Sequence, residues 1–307
     1  MAFYLGIDGG GSKTTCVVGD ESSELASAVS GPSNITRVGE ARAREALHDA
    51  MRQCCTAARI DLRRVHRACV GVAGAGREEI AHTVRKMIAE LIAGEIEVVG
   101  DMQIALQAAL GAGPGVVVIA GTGSIGYGRD PQGKTARAGG WGFAISDEGS
   151  AHWIGRTAVA ALLRSADESA GDGAAKGPLP LFREIKAIWK LESLEQLARA
   201  ANMNPDFAIL LPAVAAAADA RDELAQRVLR RAGRELADLA GIVVQKLFLH
   251  GNDAVPLAMV GGVFRHAAIA REVFCDAVHK SDPRLEVNRE VVEPVVGALQ
   301  MARETGK

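Results

Sequence analysis

The sequence predicts a two-lobed α/β fold, and three observations carry that expectation. The chain has 307 residues, enough for about two domains at ~150 residues each. Segments rich in β-branched residues alternate with helical ones, the order that builds α/β layers. A strand–glycine turn–strand pattern also occurs twice, on either side of Gly111-Ala112-Gly113-Pro114-Gly115. That break puts the expected boundary between 112 and 113, giving lobes 1–112 and 113–307. The last helix, about 292–304, is expected to pack back on the first lobe.

In the first lobe, Phe3–Ile7, Thr14–Val18 and Glu24–Val29 read as strands separated by turn residues. Glu40–Ala58 interleaves charges with Ala and Leu at helical spacing. Strand Arg67–Val72, helix Arg77–Ile92, strand Glu95–Val99 and helix Met102–Leu110 complete the lobe. The second lobe restarts with strand Val116–Ala120, a glycine turn, and strands Ile125–Arg129 and Thr135–Ala138. Helices are then expected over Asp147–Arg164, Leu181–Ala200, Pro205–Ala220 and Arg221–His250. Strand Val255–Val260, helix Phe264–His279, a short strand near Leu285–Asn288 and helix Val292–Glu304 close the chain.

Composition narrows the function. A formal net charge of −2 lacks the basic excess that holds phosphate backbones or anionic lipids, so neither nucleic acid nor membrane is an expected partner. Aromatics at 4% leave little for base stacking. The five cysteines are odd in number and contain no C-x-x-C pair, which fits a reducing, cytoplasmic setting. The start of the chain has no basic region and meets Asp8 early, unlike a signal peptide. Glycine is the unusual residue: 24 of 35 fall in residues 1–149.

Glycine lets backbone N–H groups approach an anion closely. Gly6…Gly11 nearly matches a P-loop, but Ser12 precedes Lys13-Thr14 and a strand follows where a helix is required. Gly121-Thr122-Gly123-Ser124-Ile125-Gly126 has the dinucleotide G-x-G-x-x-G spacing, yet Gly126, Gly128 and Pro131 forbid the helix it must open. Two strand–glycine–strand turns gripping a polyphosphate fit better. Gly10, Gly11, Ser12, Lys13, Gly121, Thr122 and Gly123 would supply donors, and Gly261-Gly262 would add to the same nucleotide site. Asp8 would hold Mg²⁺ through water. Each turn alone reads as an ordinary β-turn; it is two such turns, with Gly261-Gly262 after a late strand, that favour nucleotide binding. Asp101, just after a strand, suits either a helix cap or a catalytic base.

Asp8-Gly9-Gly10-Gly11-Ser12-Lys13-Thr14, Gly121-Thr122-Gly123-Ser124, Gly139-Gly140-Trp141-Gly142 and Asp147-Glu148-Gly149-Ser150-Ala151 resemble, in order and spacing, the N-acetylglucosamine and glucosamine kinase family. That family lies in the BadF/BadG/BcrA/BcrD ATPase group of the actin–hexokinase–Hsp70 fold. The resemblance covers essentially the whole chain. It implies an actin-like, ribonuclease H-like ATPase fold with a deep interdomain cleft, ATP and Mg²⁺ as cofactors, and phosphorylation of an amino sugar's 6-hydroxyl. It implies Asp101 as base and sugar contact, with Asn34, Gly140, Trp141, Gly142 and Asp147 as further sugar contacts, and a homodimer as the family default. Asn34 is otherwise a turn residue, Trp141 a core residue and Asp147 a helix cap. Ala73-Gly74-Ala75-Gly76 lacks a serine expected in close relatives, and Thr36 stands where some have tryptophan. The sugar is therefore open among N-acetylglucosamine, glucosamine and N-acetylmuramic acid.

Two other classes share this fold. An ATPase activator of a 2-hydroxyacyl-CoA dehydratase-type enzyme would need cysteines for an iron–sulfur cluster, and Val70–Phe274 contains none. A sugar-responsive regulator would need a DNA-binding segment, and the first strand is expected at residue 3.

Overall fold

A computed structural model describes residues 2–169, 180–250 and 252–304. The chain forms two compact units, Met1–Val117 with Val292–Lys307, and Val118–Val291.

The first unit contains β1 (Phe3–Gly9), β2 (Thr14–Gly19), β3 (Glu24–Ser30), α1 (Ile35–Val38), α2 (Glu40–Ala58), β4 (Val65–Val72), α3 (Glu78–Ala89), β5 (Glu95–Gly100) and α4 (Asp101–Leu110). Its sheet order is β3-β2-β1-β4-β5. The tight turns join antiparallel pairs β1–β2 and β2–β3, while helices carry the crossovers to parallel β4 and β5. Register sets Gly9 opposite Val72 and Val72 opposite Gly100, so β1, β4 and β5 end flush. Ligand sites of α/β sheets form at such carboxyl ends.

Alternating side chains divide between two layers. Leu5, Ile7, Cys16 and Val18 pack with Leu47 and Met51 of α2 and Val84 and Ile88 of α3. On the other face, Tyr4, Val17 and Cys69 meet Ile104 of α4 and Val295, Ala298 and Leu299 of α12 (Pro294–Arg303). Burying Val295 and Leu299 contributes about 1.5–3 kcal/mol each, before the entropy of ordering the helix. The approach is close because Gly6 lies under α12: a Cβ there would come within 2.8 Å of the Val295 carbonyl oxygen.

The remaining elements are β6 (Gly115–Ala120), within which the two units divide, β7 (Ser124–Arg129), β8 (Thr135–Gly139), α5 (Ala151–Ser169), α6 (Pro180–Trp189), α7 (Leu194–Ala201), α8 (Leu211–Asp219), α9 (Glu223–Leu247), β9 (Val255–Val260), α10 (Gly262–His266), α11 (Ala268–Ser281) and β10 (Leu285–Val292). The sheet order is β10-β9-β6-β7-β8. Counted from its own first strand, each sheet reads third, second, first, fourth, fifth. Residue identity hides this repeat, but topology keeps it. The long α9 buries Val228, Leu229, Leu236 and Val243 along one face.

Several helical expectations need correction. The segment 181–200 is two helices, because Lys190 adopts a left-handed φ of 53° and Ser193 starts a new helix by accepting from Gln196 N–H. The segment 205–220 opens with a 3₁₀ turn, Phe207–Leu210, capped by Asp206. The segment 264–279 is broken at Ala267, whose φ of −118° and ψ of 80° lie outside the helical region. None of the described helices is long and apolar enough to cross a membrane.

Candidate active site

In the first unit, Asp8 is the penultimate residue of β1, paired with Thr15 on one side and Gly71 on the other. After Gly9 the chain turns through Gly10–Lys13, closed by Gly10 N–H donating to the Lys13 carbonyl at 3.0 Å. The Gly10 carbonyl accepts from Ser33 N–H at 3.2 Å, which docks the Gly31–Asn34 segment on this turn. The Thr14 hydroxyl donates to the Gly31 carbonyl and lies 2.7 Å from the Ser33 hydroxyl. Gly11, Ser12 and Lys13 form the tip, with Ser12 and Lys13 exposed. Lys13 is followed by β2, so this turn is not a P-loop.

Asn34 caps the short α1. Its Oδ1 accepts from Thr36 N–H at 3.1 Å and from the Thr36 hydroxyl at 2.7 Å. The amide nitrogen is the part of Asn34 that these bonds leave for a ligand.

Asp101 is not the helix cap. Gly100 holds that position, its N–H donating to Gln103 Oε1 at 2.8 Å. Asp101 is the first residue of α4, and its Oδ1 accepts from Met102 N–H at 2.9 Å. Asp8 and Asp101 are only partly exposed, and desolvation is the dominant influence on both carboxyls. Burial raises the Asp101 carboxyl, with the Met102 N–H opposing. Burial, followed by the Asp101 charge, pushes Asp8 up to about 7; Lys13 opposes this and Glu293 adds to it. Sequence reasoning missed Glu293. It caps α12, and only the packing of that helix on β1 brings it near, so no local motif signals it.

In the second unit, the Gly121-Thr122-Gly123 turn joins β6 to β7. It is fastened to the start of α5: Ala151 N–H donates to the Gly121 carbonyl at 2.9 Å and His152 N–H to the Thr122 carbonyl at 3.4 Å. These are N–H groups that a helix start cannot satisfy internally. Ser124 Oγ donates to the Glu148 carbonyl at 2.7 Å. Because β7 begins at Ser124, the G-x-G-x-x-G spacing opens no helix and is not a dinucleotide site. Gly261, at φ 104°, abuts this turn: a Cβ there would strike the Ala120 carbonyl and lie 3.1 Å from Gly121 N. Gly262 follows as the first residue of α10.

Asp147 is likewise no helix cap, because α5 begins at Ala151 and Ser150 Oγ accepts from Trp153 N–H at 3.2 Å. Asp147 is buried, with a left-handed φ of 64°. Its carboxylate accepts from Gly142 N–H at 3.3 Å and from the Ser124 backbone N–H. One acidic side chain thus ties the Gly121–Ser124 turn to the Gly140-Trp141-Gly142 loop. Burial raises its pKa, and the Gly142 N–H opposes that rise. A Cβ at Gly123 would approach Asp147 Oδ2 to 2.6 Å, so any larger residue there displaces this carboxylate. Trp141 is 67% exposed and so is no core residue. His152, given no role from sequence, is buried with its ring 4.6 Å from that of Phe143.

The structure therefore gathers Asp8, Gly10, Gly11, Ser12, Lys13, Asn34 and Asp101 in the first unit. It gathers Gly121, Thr122, Gly123, Gly140, Trp141, Gly142, Asp147, Gly261 and Gly262 in the second. Ser124, the last residue of the Gly121-Thr122-Gly123-Ser124 motif, braces the second of these turns, and Ser33, which lies outside the quoted motifs, braces the first.

Comparison with known proteins extends these findings. The model of the BadF/BadG/BcrA/BcrD ATPase family matches residues 5–302. The N-acetylmuramic acid/N-acetylglucosamine kinase of Clostridium acetobutylicum is 32% identical over 305 residues, covering 99% of both chains. The N-acetyl-D-glucosamine kinase of Dictyostelium discoideum is 29% identical over 317 residues, covering 99% of this chain and 98% of its own. A Chromobacterium violaceum structure, provisionally named as an N-acetylglucosamine kinase, superposes with a TM-score of 0.74 at 25% identity over 98% of this chain and 99% of that one. A Streptomyces griseus ROK family glucokinase in complex with glucose and AMPPNP shares the fold, with a TM-score of 0.64 at 16% identity over 98% and 99%.

Proposed function

The chain belongs to the BadF/BadG/BcrA/BcrD ATPase family, and from that premise we propose that it is a kinase transferring the γ-phosphoryl group of ATP to the 6-hydroxyl of N-acetylglucosamine or glucosamine. The observation that carries the reading is the Asp8–Asp101 pair at the flush carboxyl ends of β1, β4 and β5. The Clostridium acetobutylicum and Dictyostelium discoideum relatives are both named as kinases of N-acetylglucosamine.

Phosphoryl transfer needs positioning, charge neutralisation and a group that accepts the hydroxyl proton. Asp101 accepts the proton from the sugar 6-hydroxyl. Its raised pKa brings it nearer the operating pH, where a general base is most effective. Asn34 and the Gly140-Trp141-Gly142 loop orient the sugar, the glycines bringing backbone groups near its hydroxyls. Asp147 holds that loop in place and offers its remaining acceptor capacity to a sugar hydroxyl. In the first unit the Gly10–Lys13 turn, and in the second the Gly121–Gly123 turn with Gly261-Gly262, each offer backbone donors suited to phosphate oxygens.

Asp8 fits Mg²⁺. It is a hard oxygen donor whose ionised form is short of compensating charge: among the described residues the Lys13 cation acts on it against Asp101 and Glu293. Among the described residues no group of three or more His, Cys, Asp or Glu could hold a metal, so one carboxylate acting through water, together with substrate phosphates, suits the ion. When bound, Mg²⁺ neutralises charge on the β- and γ-phosphates.

The dehydratase-activator reading is not favoured, since the relatives are named as sugar kinases and Cys16, Cys54, Cys55 and Cys69 are buried. An ADP-release assay over glucosamine, N-acetylglucosamine, N-acetylmuramic acid and glucose tests the proposal. Stimulation by an amino sugar well above that by glucose is expected. ATP hydrolysis indifferent to every sugar would point to an ATPase without a sugar acceptor.

A further inference from the structure

Arg137 lies on β8, two residues before Gly139, and its guanidinium carbon stands 4.2 Å from the centroid of the Trp141 ring. Stacked cations of this kind gain from the ring's negative face. The same guanidinium is held from behind: Nη1 donates to the Gly139 carbonyl at 3.2 Å and weakly to the Gly140 carbonyl at 3.5 Å. The backbone beneath is also braced, because Lys246 Nζ donates to the Arg137 carbonyl at 2.8 Å. Both carbonyl contacts are made by one guanidinium nitrogen, and together they give the side chain a fixed position beside a largely exposed indole. No carboxylate forms an ion pair with Arg137 among the described residues. A fixed, unneutralised guanidinium next to a sugar-loop tryptophan is an arrangement suited to a carboxylate, which Arg binds in two-pronged fashion.

We infer that Arg137 is a specificity-determining residue that admits amino sugars bearing an acidic substituent, such as the lactyl ether of N-acetylmuramic acid. The inference rests on the sugar-loop assignment of Gly140-Trp141-Gly142 proposed above. Trp141 presents the ring surface left open by Arg137 to the sugar, and Arg137 receives the carboxylate at the edge of that surface. A neutral sugar uses the indole without the guanidinium. The two substrates therefore depend on Arg137 to different degrees.

The test compares kcat/KM for N-acetylmuramic acid and N-acetylglucosamine in the wild-type chain, in Arg137→Gln and in Arg137→Lys, with thermal melts to confirm folding. The expected result is phosphorylation of both sugars by the wild type. In Arg137→Gln the acidic-to-neutral ratio falls by at least tenfold, chiefly through KM, and Arg137→Lys recovers part of the loss. Raised salt should depress the wild-type ratio, since screening weakens the charge pair. An unchanged ratio in a folded Arg137→Gln, or a wild type that phosphorylates only the neutral sugar, would overturn the inference while leaving the kinase reading intact. A wild type that phosphorylates neither sugar would overturn the kinase reading and this inference with it.

Discussion

The turn between β1 and β2 and the turn between β6 and β7 stand at the same place in two sheets of the same strand order, but they carry opposite chemistry. The first follows Asp8 and shares its surroundings with Asp101 and Glu293. In β6 the penultimate residue is Ile119, and the turn beyond it is glycine and hydroxyl, braced by α5 backbone N–H groups and by Asp147. A duplicated scaffold has thus been loaded unequally. One copy concentrates negative charge, suited to a cation and a proton. The other offers close backbone approach, suited to an anion. At the second turn Asp147 accepts from backbone N–H groups of two loops and holds them together.

Substitutions that remove one load while sparing the scaffold sharpen this contrast. The largest effect is expected from Asp101→Asn. General-base removal costs about 10²–10⁴-fold, so sugar-dependent turnover should fall by that amount while circular dichroism and ATP binding stay close to wild type. Next comes Gly123→Ala, which forces a methyl toward Asp147 and should destabilise the chain by about 1–3 kcal/mol. It should also raise the KM for ATP several-fold, measured by chemical denaturation and steady-state kinetics. An equally tolerated alanine at 123 would break the idea that Asp147 clamps the turn.

Asp8→Asn should trade stability against activity. The unfolded carboxyl loses its proton near pH 4, whereas in the folded, metal-free chain Asp8 keeps it to about 7. Between those values the folded state binds more protons, so this group makes stability fall as pH rises, and the fall ends above pH 7. The asparagine variant should lack that fall. It should melt a few degrees above the wild type at pH 8 without Mg²⁺, at ~2–4 °C per kcal/mol for a chain of this class, and yet be nearly inactive. A matching pH dependence in the two proteins would contradict the crowding of carboxylates at this edge. The smallest effect is expected from Trp141→Ala, a several-fold rise in sugar KM with little change in kcat, seen in the ADP-release assay.

Strand segments were legible because β-branched runs end at glycine turns, and β1–β9 lie within a few residues of expectation. Helix starts were less so. Asp101 and Asp147 both look like caps by residue type, yet Gly100 and Ser150 take that part, because backbone geometry and not side-chain preference decides which residue precedes the first turn. Long helical stretches hid their breaks, since Lys190 and Ala267 are not residues that announce one. The loops at the candidate site were legible through their glycines. Their braces were not: Ser33 and Glu293 act across distances in sequence that no local spacing encodes.

The central claim is that the charged copy of the scaffold supplies the base for transfer to one sugar hydroxyl. Phosphorus–proton correlation NMR of the product from N-acetylglucosamine tests it most directly, run in parallel with wild type and Asp101→Asn. The account predicts a phosphate coupled to the two protons at carbon 6 in the wild-type product and almost none in the variant. Coupling to the proton at carbon 1, or equal product from both proteins, would contradict it.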